Sequence, residues 1–400
     1  MDMRDTAVSW NNAKISQKDV ADRMKDLERS LEFCRPDIGS TSSGLGRSRL
    51  PYRPSIQHNR LQQVRKASSD STPTTSVSAS TPSTNSTSLW VPLMIAVNHS
   101  TKETHIYTVV RSLNIHGPTR SVKADILLVR NSATARLFVE KRLYTPTVAS
   151  QKRANSEVHA LQQIRDRDCP TYINKMFDIF LRKDDGFCSL ILEYCDAGTV
   201  EDKILILLQA GVPPVEGLVW HILAGLAKAI YFCHTGIDAA ASSQARLYSW
   251  TTLCHLATTP SNVFLSTDGG HSDYPRVVLG DFGSATPYID IMDSQAPHPS
   301  GPRLLPGWFP PECNIIGCIG NYGTTTDIWQ MGGVAQALCR LLKEPDMERV
   351  DFGRPAGKAY GKELNGFITY CMQREASKRP DAKTAVEWLR TDFGKRETIF

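Results

Sequence analysis

A carboxylate on a flexible turn is the first feature of this 400-residue sequence that could do chemistry. Asp281 is followed by Phe282 and Gly283, and the apolar segment Arg276–Leu279 before it predicts a buried strand. A carboxylate held on a glycine-containing turn at the end of such a strand suits a site for Mg²⁺ and phosphate. The triplet alone does not define a class of protein. The class is inferred from the motifs around it.

Further motifs lie on both sides of this turn in a fixed order. They read Val139-Glu140-Lys141, Glu157, LILEYCDAG at 190–198, PSNVFL at 260–265, WFPPE at 308–312, Asp327-Ile328-Trp329 and Lys378-Arg379-Pro380. In order and spacing, the set resembles the landmarks of the eukaryotic protein kinase family, in its serine/threonine branch. The resemblance extends from about Tyr107 to about Phe393.

The resemblance implies an α+β, bilobal protein-kinase-like fold within residues 90–395. A small β-rich N-lobe with one helix (helix C) would occupy about 105–193, and a larger helical C-lobe about 197–393. Sequence periodicity agrees with this order. It predicts strands at 106–110, 125–129, 137–141 and 187–194, and helices at 154–165, 217–233, 324–342, 363–371 and 381–389.

The same resemblance implies roles for individual residues. Lys141 would contact the ATP phosphates with Glu157 as its helix partner, and Asn262 and Asp281 would hold Mg²⁺. Leu192 would be the gatekeeper of the nucleotide pocket. The residues implied for nucleotide binding are Gly117, Val122, Val139, Lys141, Leu192, Glu193, Cys195, Phe264 and Asp281, with the backbone of Glu193 and Cys195 facing adenine. In the C-lobe, Glu312 and Arg379 are expected to form a buried ion pair, and Asp327 to support the catalytic loop.

The catalytic loop departs from the family pattern. The family frame His-Arg-Asp, two residues, Pro, one residue, Asn reads HLATTPSN at 255–262. Ala257 therefore stands at the general-base position, Thr259 at the position of a lysine, and Leu256 at that of an arginine that grips a phosphorylated activation loop. Leu305 replaces a threonine of the same polar network. Joint loss of these partners indicates a relaxed demand for catalysis, because a partial network would leave polar groups unpaired.

The glycine-rich loop departs as well. The family frame G-x-G-x-x-G-x-V maps to residues 115–122, where only Gly117 and Val122 are kept. Pro118 removes an N–H donor, and Arg120 adds both bulk and a positive charge. We therefore expect a weaker or differently built grip on the nucleotide phosphates.

Two functions follow from this combination of retained binding residues and lost catalytic residues. The sequence leaves open whether the chain is an enzyme. The first is a pseudokinase that binds ATP and Mg²⁺ with impaired phosphoryl transfer and acts as a scaffold or allosteric partner. The alternative is an active but divergent kinase that moves the ATP γ-phosphate to protein Ser or Thr. A third hypothesis, an interaction protein that works through its N-terminal region, has no sequence feature in its favour.

Composition limits the partners. The net charge of +5 is mild for this length and no basic stripe stands out, so we expect ATP and a protein substrate or partner but no nucleic acid. The ten cysteines form no CxxC pair, which favours reduced thiols and a cytoplasmic or nuclear location. The longest aliphatic run, 204–208, is too short to cross a bilayer, and residues 1–22 lack an apolar signal segment, so no membrane partner is expected.

The N-terminal part has a different composition. Residues 1–89 are predicted to be a disordered region, because 68–88 consist almost entirely of Ser, Thr, Pro and small residues. Within it, Val20, Met24, Leu27 and Leu31 are spaced to share one face of a short helix at 16–33. A second Ala/Ser-rich segment, 238–252, reads as an insertion before the catalytic loop.

Overall fold

The structure is a computed structural model that describes residues 93–97, 104–113, 124–182, 187–240, 250–268, 274–293, 306–314 and 322–393. All of these residues belong to one unit of the chain. The predicted disordered region 1–89 with its helix at 16–33, the loop 115–122, Leu305 and most of the insertion lie outside the described residues.

A six-stranded antiparallel sheet forms the N-terminal half of the described chain. Its strands are β1 (Leu93–Val97), β2 (Thr104–Ser112), β3 (Ala124–Asn131), β4 (Leu137–Tyr144), β5 (Met176–Arg182) and β6 (Phe187–Glu193). They are arranged in the order β1-β2-β3-β4-β6-β5. Strand β4 therefore lies inside the sheet, where Lys141 pairs with Ile126 on one side and Leu190 on the other.

One face of this sheet forms its own apolar core, made of Tyr107, Val109, Leu127, Val129, Phe138 and Ile191. Polar side chains on this face also form hydrogen bonds. The Tyr107 hydroxyl donates to Asp178 on edge strand β5 (2.7 Å), which joins strands that are not neighbours in the sheet. Arg142 and Ser189 donate to the Glu140 carboxylate (2.8 and 2.7 Å). These buried polar groups are tolerated because each has a hydrogen-bond partner.

Helix α1 (Val148–Arg165) follows β4. It begins six residues before the predicted start, because Thr147 and Ser150 form a capping box that satisfies the first backbone N–H groups. Its inward face buries Ala154, Val158, Leu161 and Ile164, which recur at helical spacing. Glu157 lies on the same buried face and points a carboxylate toward β4.

The C-terminal half is helical. Its helices are α2 (Val200–Ala210), α3 (Glu216–Thr235), α4 (Tyr288–Met292), α5 (Thr324–Arg340), α6 (Met347–Asp351), α7 (Lys362–Cys371) and α8 (Ala382–Phe393). Helix α3 is long and apolar enough to cross a membrane, but 67% of its apolar window is buried inside the protein. Its Trp220 lies against Phe367 and Trp388, so it is the core helix of this half.

Two short ladders position the loops that carry the site. Strand β7 (Leu253–Cys254) pairs with β10 (Thr286–Pro287), and β8 (Val263–Ser266) pairs with β9 (Arg276–Leu279). The loop 255–262 runs from β7 to β8, and the turn 280–285 runs from β9 to β10. Since both pairs are hydrogen-bonded, the loop and the turn are held side by side.

The α+β, bilobal fold class is confirmed by this arrangement, with a β-sheet half followed by a helical half. The predicted strands and helices are all present, each with its ends within six residues of the predicted bounds. The elements that were not predicted are strands β1, β5, β7, β8 and β10 and helices α2, α4 and α6. The domain boundaries at 90 and 395 stay predictions.

Candidate functional site

Lys141 lies at the meeting point of three elements. Its Nζ is 2.5 Å from Glu157 Oε1 on α1 and 2.6 Å from Asp281 Oδ1 on the turn after β9. The Lys141 and Glu157 side chains are 11% and 4% exposed, whereas that of Asp281 is 38% exposed. The structure thus brings together three of the four residues predicted to handle phosphate and metal.

The charges of this trio support one another. Burial alone would lower the pKa of Lys141, but the carboxylates of Asp281 and Glu157 outweigh that effect and raise it. The positive charge of Lys141 in turn lowers the pKa of Asp281 to about 2. At neutral pH the trio therefore carries one ammonium and an ionised, partly exposed carboxylate at Asp281.

The turn that carries Asp281 is unusual in its backbone. Asp281 has a φ of 56°, in the left-handed region that L-residues rarely adopt, and its Oδ1 accepts from Gly283 N (3.3 Å). Phe282 is 1% exposed and packs edge-on against His255, with ring centroids 4.9 Å apart. This packing holds a strained residue in place, as is common at functional sites.

His255 supports the turn from the other side. Its Nε2 lies 3.0 Å from the Gly280 carbonyl oxygen, which can only accept, so the proton is on Nε2. Burial lowers the pKa of His255, which keeps the ring neutral. His255 is therefore a buried support of this turn and not an exposed base.

Asp327 anchors the catalytic loop from helix α5. Its fully buried carboxylate accepts the backbone N–H of His255 (2.9 Å) and of Leu256 (2.7 Å), and His234 Nε2 lies 2.9 Å away. Leu256 has a φ of 60°, so the loop is held in a second left-handed position. The predicted supporting role of Asp327 is confirmed.

Ala257 stands where the general base was expected. It is 5% exposed, and its carbonyl accepts from the Asn262 side-chain amide (2.9 Å). Thr259 is also buried, and its hydroxyl lies 3.0 Å from that of Ser261. Within the described part of the chain, no carboxylate forms a hydrogen bond with residues 257–259.

Only some of the residues implied for the nucleotide pocket lie within the described ranges. Val139 and Leu192 pair across strands β4 and β6, and Phe264 on β8 packs against Gly280. The backbone of Glu193 is engaged: its N–H donates to Lys175 O (2.8 Å), and its carbonyl accepts from Asn174 Nδ2 (3.1 Å).

These two hydrogen bonds affect the prediction that the backbone of Glu193 faces adenine. The carbonyl of Glu193 keeps one lone pair beyond the bond to Asn174, but its N–H is committed to the sheet. Asn174 also places its amide 3.9 Å from the Cys195 sulfur. Sequence reasoning missed Asn174, because no motif marks it and its partners lie about twenty residues away. Gly117 and Val122 lie outside the described residues.

The predicted ion pair between Glu312 and Arg379 is confirmed. The guanidinium donates to both carboxylate oxygens, at 2.6 and 2.7 Å. The Arg379 side chain is 0% exposed and that of Glu312 is 11% exposed. This pair fixes the segment 306–314 to the helical half.

Asp281→Asn is expected to make the free energy of unfolding depend less on pH under acidic conditions. The folded pKa of about 2 lies below the ordinary 3.8, so ionised Asp281 stabilises the folded state above about pH 4 and this contribution fades as pH falls toward 2. Allowing for solvent screening of this 38% exposed side chain, we expect the variant to lose about 1–2 kcal/mol at pH 6. Urea unfolding at pH 6 and pH 3 measures this, and the gap to the parent should narrow at pH 3. A Glu201→Gln control on α2 should keep the parent's profile.

No protein-family model matches the chain. The chain is 28% identical over 222 residues to the G2-specific protein kinase nimA of Emericella nidulans, across 49% of this chain and 29% of that protein. It is 27% identical over 249 residues to the G2-specific protein kinase nim-1 of Neurospora crassa, across 52% and 27%. Mitogen-activated protein kinase kinase 2 of Arabidopsis thaliana is 22% identical over 280 residues, across 66% and 67%.

These matches and the fold agree on the class. The chain carries a divergent eukaryotic protein-kinase-like domain. The matched region spans less than a third of the two fungal relatives, which are named as G2-specific protein kinases.

Proposed function

We propose that this domain binds ATP with Mg²⁺ but is impaired in phosphoryl transfer, and that it acts as a pseudokinase with a scaffolding or allosteric role. One observation carries the proposal. Lys141 is paired with Glu157 and Asp281 at 2.5 and 2.6 Å, while Ala257, the residue that the family resemblance aligns with the general base, is buried and has only a methyl side chain.

The residues present suit the implied ligands. Ionised carboxylates and amide oxygens are the ligands that Mg²⁺ prefers, and Mg²⁺ keeps several positions for water and phosphate oxygens. Asp281 supplies the carboxylate. The nitrogen of the Asn262 amide is committed to the Ala257 carbonyl, which leaves the amide oxygen to face a cation. Bound Mg²⁺ would neutralise phosphate charge, and Lys141 would add a fixed positive charge beside it.

The described ranges contain no group of three or more His, Cys, Asp or Glu side chains that could hold a metal ion. A cation held by Asp281 and Asn262 alone would therefore depend on phosphate oxygens for further ligands. This favours binding of Mg²⁺ together with the nucleotide over a resident metal.

The missing groups account for the proposed impairment. A general base contributes about 10²- to 10⁴-fold to a proton-transfer step, and Ala257 has no proton acceptor in its side chain. Thr259 brings no positive charge to the transferring phosphate, and its hydroxyl is already paired with that of Ser261. Positioning by the remaining residues would leave only residual transfer.

The alternative is an active, divergent serine/threonine kinase with a protein substrate. The assembled Lys141 trio favours it, as do the names of the relatives, which are protein kinases. Both proposals expect ATP and a protein as partners, a cytoplasmic or nuclear location, and neither nucleic acid nor membrane.

A thermal-unfolding measurement tests nucleotide binding. ATP with Mg²⁺ at about 100 times its dissociation constant should stabilise the full chain by about 2.7 kcal/mol, which raises the melting temperature by several degrees. Lys141→Met should abolish this increment, because it removes the cation that faces phosphate. Lys152→Met is the matched control, since Lys152 is exposed on α1, and it should keep the full increment.

The outcomes separate the hypotheses. An increment without Mg²⁺-dependent transfer of ³²P to generic protein substrates supports the pseudokinase. Robust transfer that Lys141→Met abolishes supports the divergent kinase. Absence of any increment in the parent chain would overturn both.

A further inference from the structure

A buried glutamine joins two segments that the lost polar network would have joined. Gln330 lies on α5 and is 0% exposed. Its Oε1 accepts the backbone N–H of Thr258 (2.9 Å), and its Nε2 donates to the carbonyls of Leu256 (3.2 Å) and Trp308 (3.1 Å). Because two of the partners can only accept and one can only donate, the orientation of the amide is fixed by its contacts.

The two segments are functionally distinct parts of the fold. Leu256 and Thr258 belong to the catalytic loop, 255–262. Trp308 belongs to the far end of the activation segment, which in the family frame runs from Asp281 to Glu312. In the described structure, 306–314 is also fixed to the helical half through Gly307 N to Glu344 Oε2 (2.8 Å) and Trp308 Nε1 to Lys343 O (3.2 Å). Gln330 adds a connection from this segment to the catalytic loop.

An apolar cluster makes the same connection by packing. It consists of Cys254, Leu256, Ile291, Cys313 and Tyr322, each at most 7% exposed. Leu256 belongs to the catalytic loop, Ile291 lies on α4 near the start of the activation segment, and Cys313 lies near its end. Both described ends of the activation segment therefore share one apolar cluster with Leu256, which stands where the family frame has a phosphate-gripping arginine.

The start of the activation segment is also hydrogen-bonded to the strand before the catalytic loop. Strand β10 pairs with β7, and the N–H of Tyr288 donates to the carbonyl of Thr252 (2.8 Å). Apart from the Glu344 carboxylate, which accepts from Gly307 N, all the contacts named here are made by backbone groups or uncharged side chains.

We propose that Gln330 is a positioning residue that, with the Leu256 cluster, locks the catalytic loop and both ends of the activation segment in one arrangement without phosphorylation or nucleotide. This arrangement is distinct from nucleotide binding, since every contact named here joins two groups of the chain itself.

Hydrogen–deuterium exchange of the full chain without nucleotide tests the lock. Gln330→Glu keeps the acceptor but loses both N–H donors, so amides in 255–262 and 306–314 should exchange on the order of 10- to 100-fold faster. Gln336→Glu is the matched control. Gln336 is equally buried on the same helix, and it bridges the backbone of Asp346 at 2.8 and 2.9 Å. Its substitution should speed exchange near Asp346 and not in the two locked segments.

Two further measurements keep the test decisive. If Gln330→Glu does not fold, Gln330→Met removes the same donors with similar volume and no added charge. Phosphatase treatment of the parent should leave protection of 306–314 unchanged. The proposal is overturned if protection is lost on dephosphorylation, if the 330 variant leaves both segments unaffected, or if both glutamine variants speed exchange in the same peptides.

Discussion

Arg379→Met is expected to lower the free energy of unfolding by about 3–5 kcal/mol, since breaking a buried ion pair leaves an uncompensated charge. The guanidinium makes two bonds to Glu312 at 2.6 and 2.7 Å, and its side chain is 0% exposed. It also donates to the backbone carbonyl of Gln373 (2.8 Å). It further donates to the carbonyls of Thr325 and Arg374 (3.2 and 3.4 Å), so the substitution would remove this donor from one carboxylate and three carbonyls.

Urea unfolding followed by tryptophan fluorescence measures this loss, with Arg374→Met as the control. Arg374 also makes two bonds to one carboxylate, that of Asp351, but the two side chains are 61% and 45% exposed. Surface pairs contribute little, so the control should keep the parent's midpoint. Equal losses in the two variants would show that burial is not what makes the first pair matter.

Adding Glu312→Leu to Arg379→Met should recover part of the lost stability. The second substitution removes the stranded carboxylate, and apolar replacements of buried ion pairs are often tolerated. The fraction that is recovered measures how much of the single-variant loss comes from the unpaired charge.

The sequence was most informative where charge is embedded in apolar surroundings. Asp327 and Arg379 each sit in or beside apolar helical patterns, and a charge buried there must find a partner. The family frame named those partners, and the structure places them within hydrogen-bond distance. Lys141 and Glu157 follow the same logic, because the strand and the helix that carry them were both visible in the periodicity.

Elements were missed where the pattern was broken. Strand β5 carries Asp178 in the middle of an apolar run. The charge is tolerated because Tyr107, 71 positions earlier in the chain, donates to it and His105 Nδ1 lies 2.8 Å from the same oxygen. Helix α2 was missed for a different reason. Its continuous aliphatic run has no helical period, and Leu205 and Ile206 are 47% and 54% exposed. Neither long-range pairing nor exposure of aliphatic residues can be deduced from local composition.

The hydrogen bonds that Gln330 and Asn174 make at the site could not be predicted from the sequence either. Gln330 and Asn174 act through backbone groups far away in sequence, and backbone groups leave no signature of residue type. The frame could show that Ala257, Thr259 and Leu305 lack the expected side chains. It could not show that an amide on α5 joins the catalytic loop to 306–314.

Ala257→Asp combined with Thr259→Lys is expected to raise phosphoryl transfer at least about 10²-fold, the lower limit of what a general base contributes. The backbone of the loop is already fixed: Asp327 accepts from Leu256 N, and Asn262 donates to the Ala257 carbonyl. A carboxylate at 257 would thus be carried by an ordered main chain and would not have to organise the loop itself.

Both substitutions are needed together. Positions 257 and 259 are 5% and 4% exposed, so a lone carboxylate or ammonium there would be buried without a counter-charge. Introduced as a pair, each charge can compensate the other, and the lysine adds the positive charge that the transferring phosphate requires. Transfer of ³²P from ATP to a generic protein substrate measures the gain, and Lys141→Met in the same background should erase it. If the parent already transfers phosphate as fast as the double variant, Ala257 is not a loss of function, and the base must be supplied by another group.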